Sequence, residues 1–112
     1  MTNSEQMQEL LGQTQMYQQQ IQGIIAQKKA LSLQATEIKK ALEELDDAKE
    51  TEIYKISGPI LIKVKKSDAK KELNERLNII NTKIRTLESG EKRVNAKLEE
   101  IRNKVTKNTA AE

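Results

Sequence analysis

Ile53-Tyr54-Lys55-Ile56-Ser57-Gly58-Pro59-Ile60-Leu61-Ile62-Lys63-Val64-Lys65 decides how this chain folds. β-Branched and aromatic residues cluster on both sides of a Ser57-Gly58-Pro59 break. That is the pattern of two short strands joined by a tight turn. Gly58 suits the turn, and Pro59 interrupts the run. Strand alternation puts Ile60, Ile62 and Val64 on one face, with Lys63 and Lys65 on the other. A two-stranded hairpin alone is marginal in water and leaves both outer edges unpaired. At the end of a long coil, such an apolar face has nothing in its own chain to bury it. The residues therefore predict pairing with hairpins of other chains.

Both flanks of this stretch are heptad-patterned. Before it, Leu10, Tyr17, Ile24, Leu31, Ile38 and Leu45 recur every seven residues, each preceded three residues earlier by Met7, Thr14, Ile21, Lys28, Ala35 and Leu42. After it, Leu73, Ile80, Leu87, Val94 and Ile101 alternate with Leu77, Ile84, Glu91, Leu98 and Val105. A 3-4 spacing sustained this long lays one apolar seam along each helix, and the two seams can zip together. The expected fold is mainly α: a long antiparallel two-helix coiled coil with one β-hairpin between the helices. The expected bounds are 5–46 for the first helix, 53–65 for the hairpin and 67–107 for the second helix, within one unit over 1–112. Ser4 reads as the first N-cap, with Glu5 favouring the dipole. Asp46-Asp47 marks the exit, and Ser67 or Asp68 the second start. Each helix would span roughly 60 Å at 1.5 Å per residue. Both chain termini would lie at the end opposite the hairpin.

Composition supports the class. Of 112 residues, 33% are charged and 2% aromatic, and Phe, Trp, Cys and His are absent. Two tyrosines cannot build an aromatic core, but each layer of a coiled coil needs only a few aliphatic side chains. Without cysteine there are no disulfides or thiolate metal sites, and without histidine the commonest neutral-pH proton shuttle is missing. The pattern fits a reducing, cytoplasmic setting. Residues 1–9 hold neither a basic group nor an apolar run, so no signal peptide is expected. No stretch approaches the roughly 20 apolar residues of a membrane span.

Glycine-rich phosphate loops, metal-ligand spacings and paired nucleophile and base are all missing, so no enzyme, cofactor or metal is expected. Glu43-Glu44 and Asp46-Asp47 are adjacent carboxylates, but neighbours on a helix point apart. Tyr17 at a seam position and Tyr54 in a strand read as packing residues. Gly12, Gly23 and Gly90 fall inside the helical patterns as local soft points.

Charge is uneven. The net value is +3, yet residues 1–27 contain no Lys or Arg, two Glu and nine Gln, whereas 53–71 hold six Lys and one Asp. A basic stripe is able to bind phosphate backbones, but interspersed signs read more simply as a solvated coiled-coil face. Lys28 and Glu91 interrupt the seam. Counted outward from the bend, positions 42 and 77, 35 and 84, and 28 and 91 are level. The two charges should thus meet and offset each other's burial, setting the coiled-coil register.

The run from Ile53 to Val64 resembles the hairpin signature of the β-type subunits of prefoldin. Tyr17-Gln18-Gln19-Gln20-Ile21, Lys40-Ala41-Leu42-Glu43-Glu44-Leu45 and the stretch from Ala69 to Leu77 resemble that family too. The resemblance covers about residues 7–105, and the single hairpin is similar to the β-type rather than the α-type subunit, which has two. It fits both the archaeal β subunit and its eukaryotic relative, subunit 6.

The resemblance implies a hexamer of two α-type and four β-type subunits. Its hairpins, here Ile53, Tyr54, Ile56, Gly58, Pro59, Ile60, Leu61, Ile62 and Val64, would form an oligomeric β-barrel platform from which the coils project. It further implies capture of unfolded client proteins at the coil tips, without nucleotide, and delivery to a group II chaperonin. Met7, Leu10, Leu11, Met16, Ile101 and Val105 lie near the fraying end, where incomplete cover would let them grip clients weakly. The same residues also read as ordinary last-turn core. Three functions follow: an ATP-independent holdase subunit, a coiled-coil assembly adaptor or scaffold without client-holding activity, and a nucleic-acid binder. Neither nucleic acid nor membrane is the expected partner.

Overall fold

The computed structural model describes the backbone of residues 3–111 and the surroundings of side chains 4–107. The order of elements is α1 (Asn3–Asp47), β1 (Glu52–Ser57), β2 (Ile60–Lys65) and α2 (Lys66–Ala111). Both helices start earlier and end later than their sequence patterns suggest. Ser4 lies inside α1, so it is not the N-cap. α1 ends at Asp47, the second residue of the acidic pair. α2 begins directly after β2, one residue ahead of Ser67.

Contacts divide the chain into two units. One comprises Met1–Lys29 with Arg85–Glu112, and the other Ala30–Ile84. The sequence reads as one unit over 1–112. The division arises because each residue of a two-helix coil touches only partners at its own level.

In the unit Ala30–Ile84, the core is built from Ala35, Ile38 and Ile80, with Leu31, Leu42, Leu73, Leu77 and Ile84 packed around them. These are seam residues from both helices, and they interleave as antiparallel heptads require. In the other unit, Leu10 and Ile101 are buried, and Lys28 Nζ lies 3.6 Å from Glu91 Oε1. All 22 heptad positions named from the sequence are half-buried or buried. Thr14 holds one of them without an orphaned hydroxyl, because its Oγ1 donates to Leu10 O at 2.8 Å.

Polar clasps tie the hairpin to the helix ends. Ala48 N donates to Glu44 O at 3.0 Å, closing the last turn of α1. Lys66 Nζ donates to Ala48 O at 2.6 Å, and Lys66 N donates to Thr51 O at 2.9 Å. Asp46, whose charge opposes the dipole at the α1 C-terminus, pairs with Lys70. The Lys70 ammonium beside it holds the Asp46 carboxyl below the usual carboxylate range, first by hydrogen bonding and then by charge.

Candidate assembly interface and outer apolar residues

The hairpin register fixes which residues share a face. β1 and β2 are antiparallel, with Glu52↔Lys65, Ile53↔Val64, Tyr54↔Lys63, Lys55↔Ile62, Ile56↔Leu61 and Ser57↔Ile60. Only two residues, Gly58 and Pro59, join the strands. Gly58 has φ +59° and, among the described residues, no non-glycine takes a positive φ, which matches a type II′ turn. Such a turn twists with the strands, and Pro59 fits its second position because φ there is negative.

One face carries Ile53, Lys55, Ser57, Ile60, Ile62 and Val64. Its base is half-buried at Ile53 and Val64. Lys55 Nζ donates to both Glu72 Oε1 and Oε2 at 2.9 Å, strapping this face to α2. That strap lowers the Glu72 carboxyl below its ordinary pKa, hydrogen bonding being the larger cause and the Lys55 charge the next. Beyond the strap, Ile60 and Ile62 are exposed. The apolar side read from β2 is therefore covered at Val64 and bare towards the turn.

The opposite face carries Glu52, Tyr54, Ile56, Leu61, Lys63 and Lys65. Here Tyr54 is 67% exposed, Ile56 76% and Leu61 65%, a continuous apolar cluster with no cover among the described residues. The sequence names each of these residues but not the face they make together. Alternation within β2 alone could not show it. The two-residue turn, which pairs Ile56 with Leu61, was the signal. An open groove of about 410 Å³ adjoins the hairpin, lined in part by Leu45, Ile53, Tyr54, Glu72, Leu73 and Arg76.

The sheet has two strands, so each strand has one outer edge without a neighbour among the described residues. Unpaired backbone groups and two apolar faces on one ribbon form a surface for adding strands.

The six residues expected at the client-gripping end separate into two groups. Leu10 is 8% exposed and Ile101 5%, so these two do not fit the expectation of incomplete cover. Met7 and Val105 are half-buried. Leu11, 58% exposed, and Met16, 46% exposed, are the open apolar side chains of the set. Ile25, 50% exposed, was not singled out, although it lies two heptads beyond Leu11 on the same flank of α1. Residues 1–3 and 108–112 of the expected tips lie outside the described side chains.

Among the described residues, no group of three or more His, Cys, Asp or Glu is placed to hold a metal ion. No described helix is long and apolar enough to cross a membrane.

Residues 8–111 match the family model described as "Prefoldin subunit". The chain is 43% identical over 101 residues to a prefoldin subunit beta of Thermococcus onnurineus, with 89% of this chain and 87% of that protein covered. It is 38% identical over 103 residues to one of Archaeoglobus fulgidus, covering 89% and 87%. Its structure is similar to the crystal structure of the prefoldin beta subunit from Thermococcus strain KS-1, with TM-score 0.86 and 36% identity over 91% of this chain and 90% of that one.

Proposed function

The chain belongs to the prefoldin subunit family, and we propose that it is the β-type subunit of a hetero-oligomeric holdase that works without nucleotide. The observation that carries this reading is the hairpin. Its Tyr54-Ile56-Leu61 cluster, bare Ile60 and Ile62, and two open edges would be a liability on an isolated chain. Strand pairing with other hairpins would satisfy the edges and bury both apolar clusters in one step. A hexamer of two α-type and four β-type subunits, with hairpins closed into a β-barrel platform, does this for every copy.

Client capture would then fall to the unit Met1–Lys29 with Arg85–Glu112. Leu11 and Met16 offer adaptable apolar contact there, and Met7 and Val105 add half-covered surface. Single contacts of this kind are weak, and several subunits engaging one unfolded chain supply the avidity. No catalytic residue is needed: binding holds the client until a group II chaperonin receives it in the cytoplasm.

The burial of Leu10 and Ile101 favours a second reading, in which the coil is a passive adaptor with a closed end. One experiment separates the two. Sizing the chain alone and mixed with an α-type subunit should give small species alone and a mixed hexamer together. The hexamer should then suppress aggregation of a chemically denatured client. A hexamer that assembles but leaves aggregation unchanged would assign the chain to the adaptor reading.

A further inference from the structure

Within the unit Met1–Lys29 and Arg85–Glu112, one flank of the helix pair is rich in hydrogen-bond donors and poor in acid. Gln6, Gln13, Gln20 and Gln27 recur every seven residues on α1, immediately ahead of the seam positions Met7, Thr14, Ile21 and Lys28. On α2 the corresponding row is Gly90, Lys97 and Lys104. Flanking rows of this kind ordinarily pair opposite charges across a coiled coil. Here the α1 row is uncharged, so the α2 cations have no acid opposite them. The ion pair of Lys97 is with Glu100 on its own helix, at 3.8 Å. Among the described residues, Arg93 and Lys104 make no ion pair.

Gly90 adds shape to this charge pattern. Its missing side chain leaves an open groove of about 360 Å³. Half-buried Ile24 and Val94 line it with Tyr17, and exposed Gln20, Arg93 and Lys97 stand around them. The groove thus combines an apolar floor of Ile24, Val94 and the Tyr17 ring with two cations and the neutral polar groups of Gln20 and Tyr17, and no carboxylate lines it.

We propose that this groove docks an acidic, amphipathic polypeptide segment, seating an aliphatic side chain on Ile24 and Val94 while Arg93 and Lys97 receive neighbouring carboxylates. Charge complementarity selects the occupant. A nucleic acid fits less well: Arg93 to Lys104 spans only about 16 Å along a helix, Glu100 interrupts the row, and Tyr17 is the one aromatic in the lining, too few for successive bases to stack. The site is independent of the holdase reading, because peptide binding is read directly and aggregation is not.

The test is fluorescence anisotropy of the full chain with labelled peptides of about twelve residues alternating Leu with Glu, Gln or Lys. The Leu-Glu peptide should bind about tenfold tighter than the Leu-Gln peptide at low salt, and the Leu-Lys peptide weaker still. Arg93→Gln with Lys97→Gln should bring the Leu-Glu peptide down to the Leu-Gln level. Gly90→Met, which fills the groove, should weaken both peptides, whereas Arg102→Gln on the other flank should change neither. Circular dichroism confirms that each variant keeps its helix content. Equal affinity for the three peptides overturns the proposal, as does unchanged binding in the Arg93→Gln/Lys97→Gln chain. Tighter binding of a single-stranded oligonucleotide that displaces the Leu-Glu peptide overturns the choice of occupant.

Discussion

Lys28 Nζ and Glu91 Oε1 stand 3.6 Å apart across the helix pair, on positions that the heptads otherwise give to uncharged groups. Each side chain is about one quarter exposed (27% and 26%), so each charge is partly removed from water and needs the other. Lys28→Glu alone places two carboxylates at that level and should cost about 1 kcal/mol, or about 4 °C in Tm. Glu91→Lys alone should do the same. The double swap should recover most of the loss. A swap that melts as low as either single variant would show that the pair does not set the register.

Glu72 makes the hairpin strap sensitive to acid. Its folded pKa is lowered, so the strap contributes its full share above the ordinary glutamate range. That share fades as pH falls through the lowered value, when Glu72 protonates and releases Lys55. Amide protection factors in β1, taken relative to the intrinsic exchange rate at each pH, should therefore fall on acidification below the glutamate range. Glu72→Gln should show lower protection already at neutral pH and lose most of this dependence. A pH dependence identical in both chains would exclude the strap as its source.

Two glycines should respond in opposite senses to alanine. Gly58 sits at φ +59°, where an L side chain is strained, so Gly58→Ala should cost about 1 kcal/mol by urea denaturation. Gly23 lies in regular helix with nothing within 4 Å of an added Cβ, so Gly23→Ala should gain up to about 1 kcal/mol.

Ile38 and Leu33 test where the core is. Ile38 is packed with Ala35 and Ile80, and Ile38→Ala should cost about 3 kcal/mol, through lost transfer energy and a residual cavity. Leu33 is 61% exposed on the same helix, and Leu33→Ala should stay within about 0.5 kcal/mol. Similar urea midpoints for the two variants would contradict the assigned seam.

The outer hairpin face is tested by Tyr54→Ser, Ile56→Ser and Leu61→Ser together. None of these side chains is covered in the single chain, so helix content should be unchanged. Assembly with an α-type subunit should be lost in sizing experiments. A normal hexamer from this variant would remove the Tyr54 face from the platform.

Much of this was legible in the chain because the signals were periodic. Leu10 to Leu45 and Leu73 to Ile101 state a seven-residue repeat, and every seam position came out half-buried or buried. The Lys28–Glu91 contact followed from equal distances to the bend. The Gly58-Pro59 turn announced itself by residue type. Helix ends were less clear: Ser4 has the chemistry of a cap, yet α1 already includes it. The clasps of Lys55, Lys66 and Lys70 were hidden, because one lysine among many carries no sign of the acceptor it will meet. Exposure near the chain ends is not written in the periodicity alone: of the residues that read both as client-gripping and as last-turn core, Leu10 and Ile101 are buried while Leu11 and Met16 are open.

Strand β2 passes into α2 at Lys65–Lys66 with no intervening residue, while α1 reaches β1 through residues 48–51. The two joints are mechanically unequal. Rotation imposed on the ribbon turns the outgoing rod at once, as a crank turns its shaft. The incoming rod joins through four residues, and the hydrogen bonds from Lys66 to Ala48 and Thr51 fasten both ends of that span to the outgoing rod.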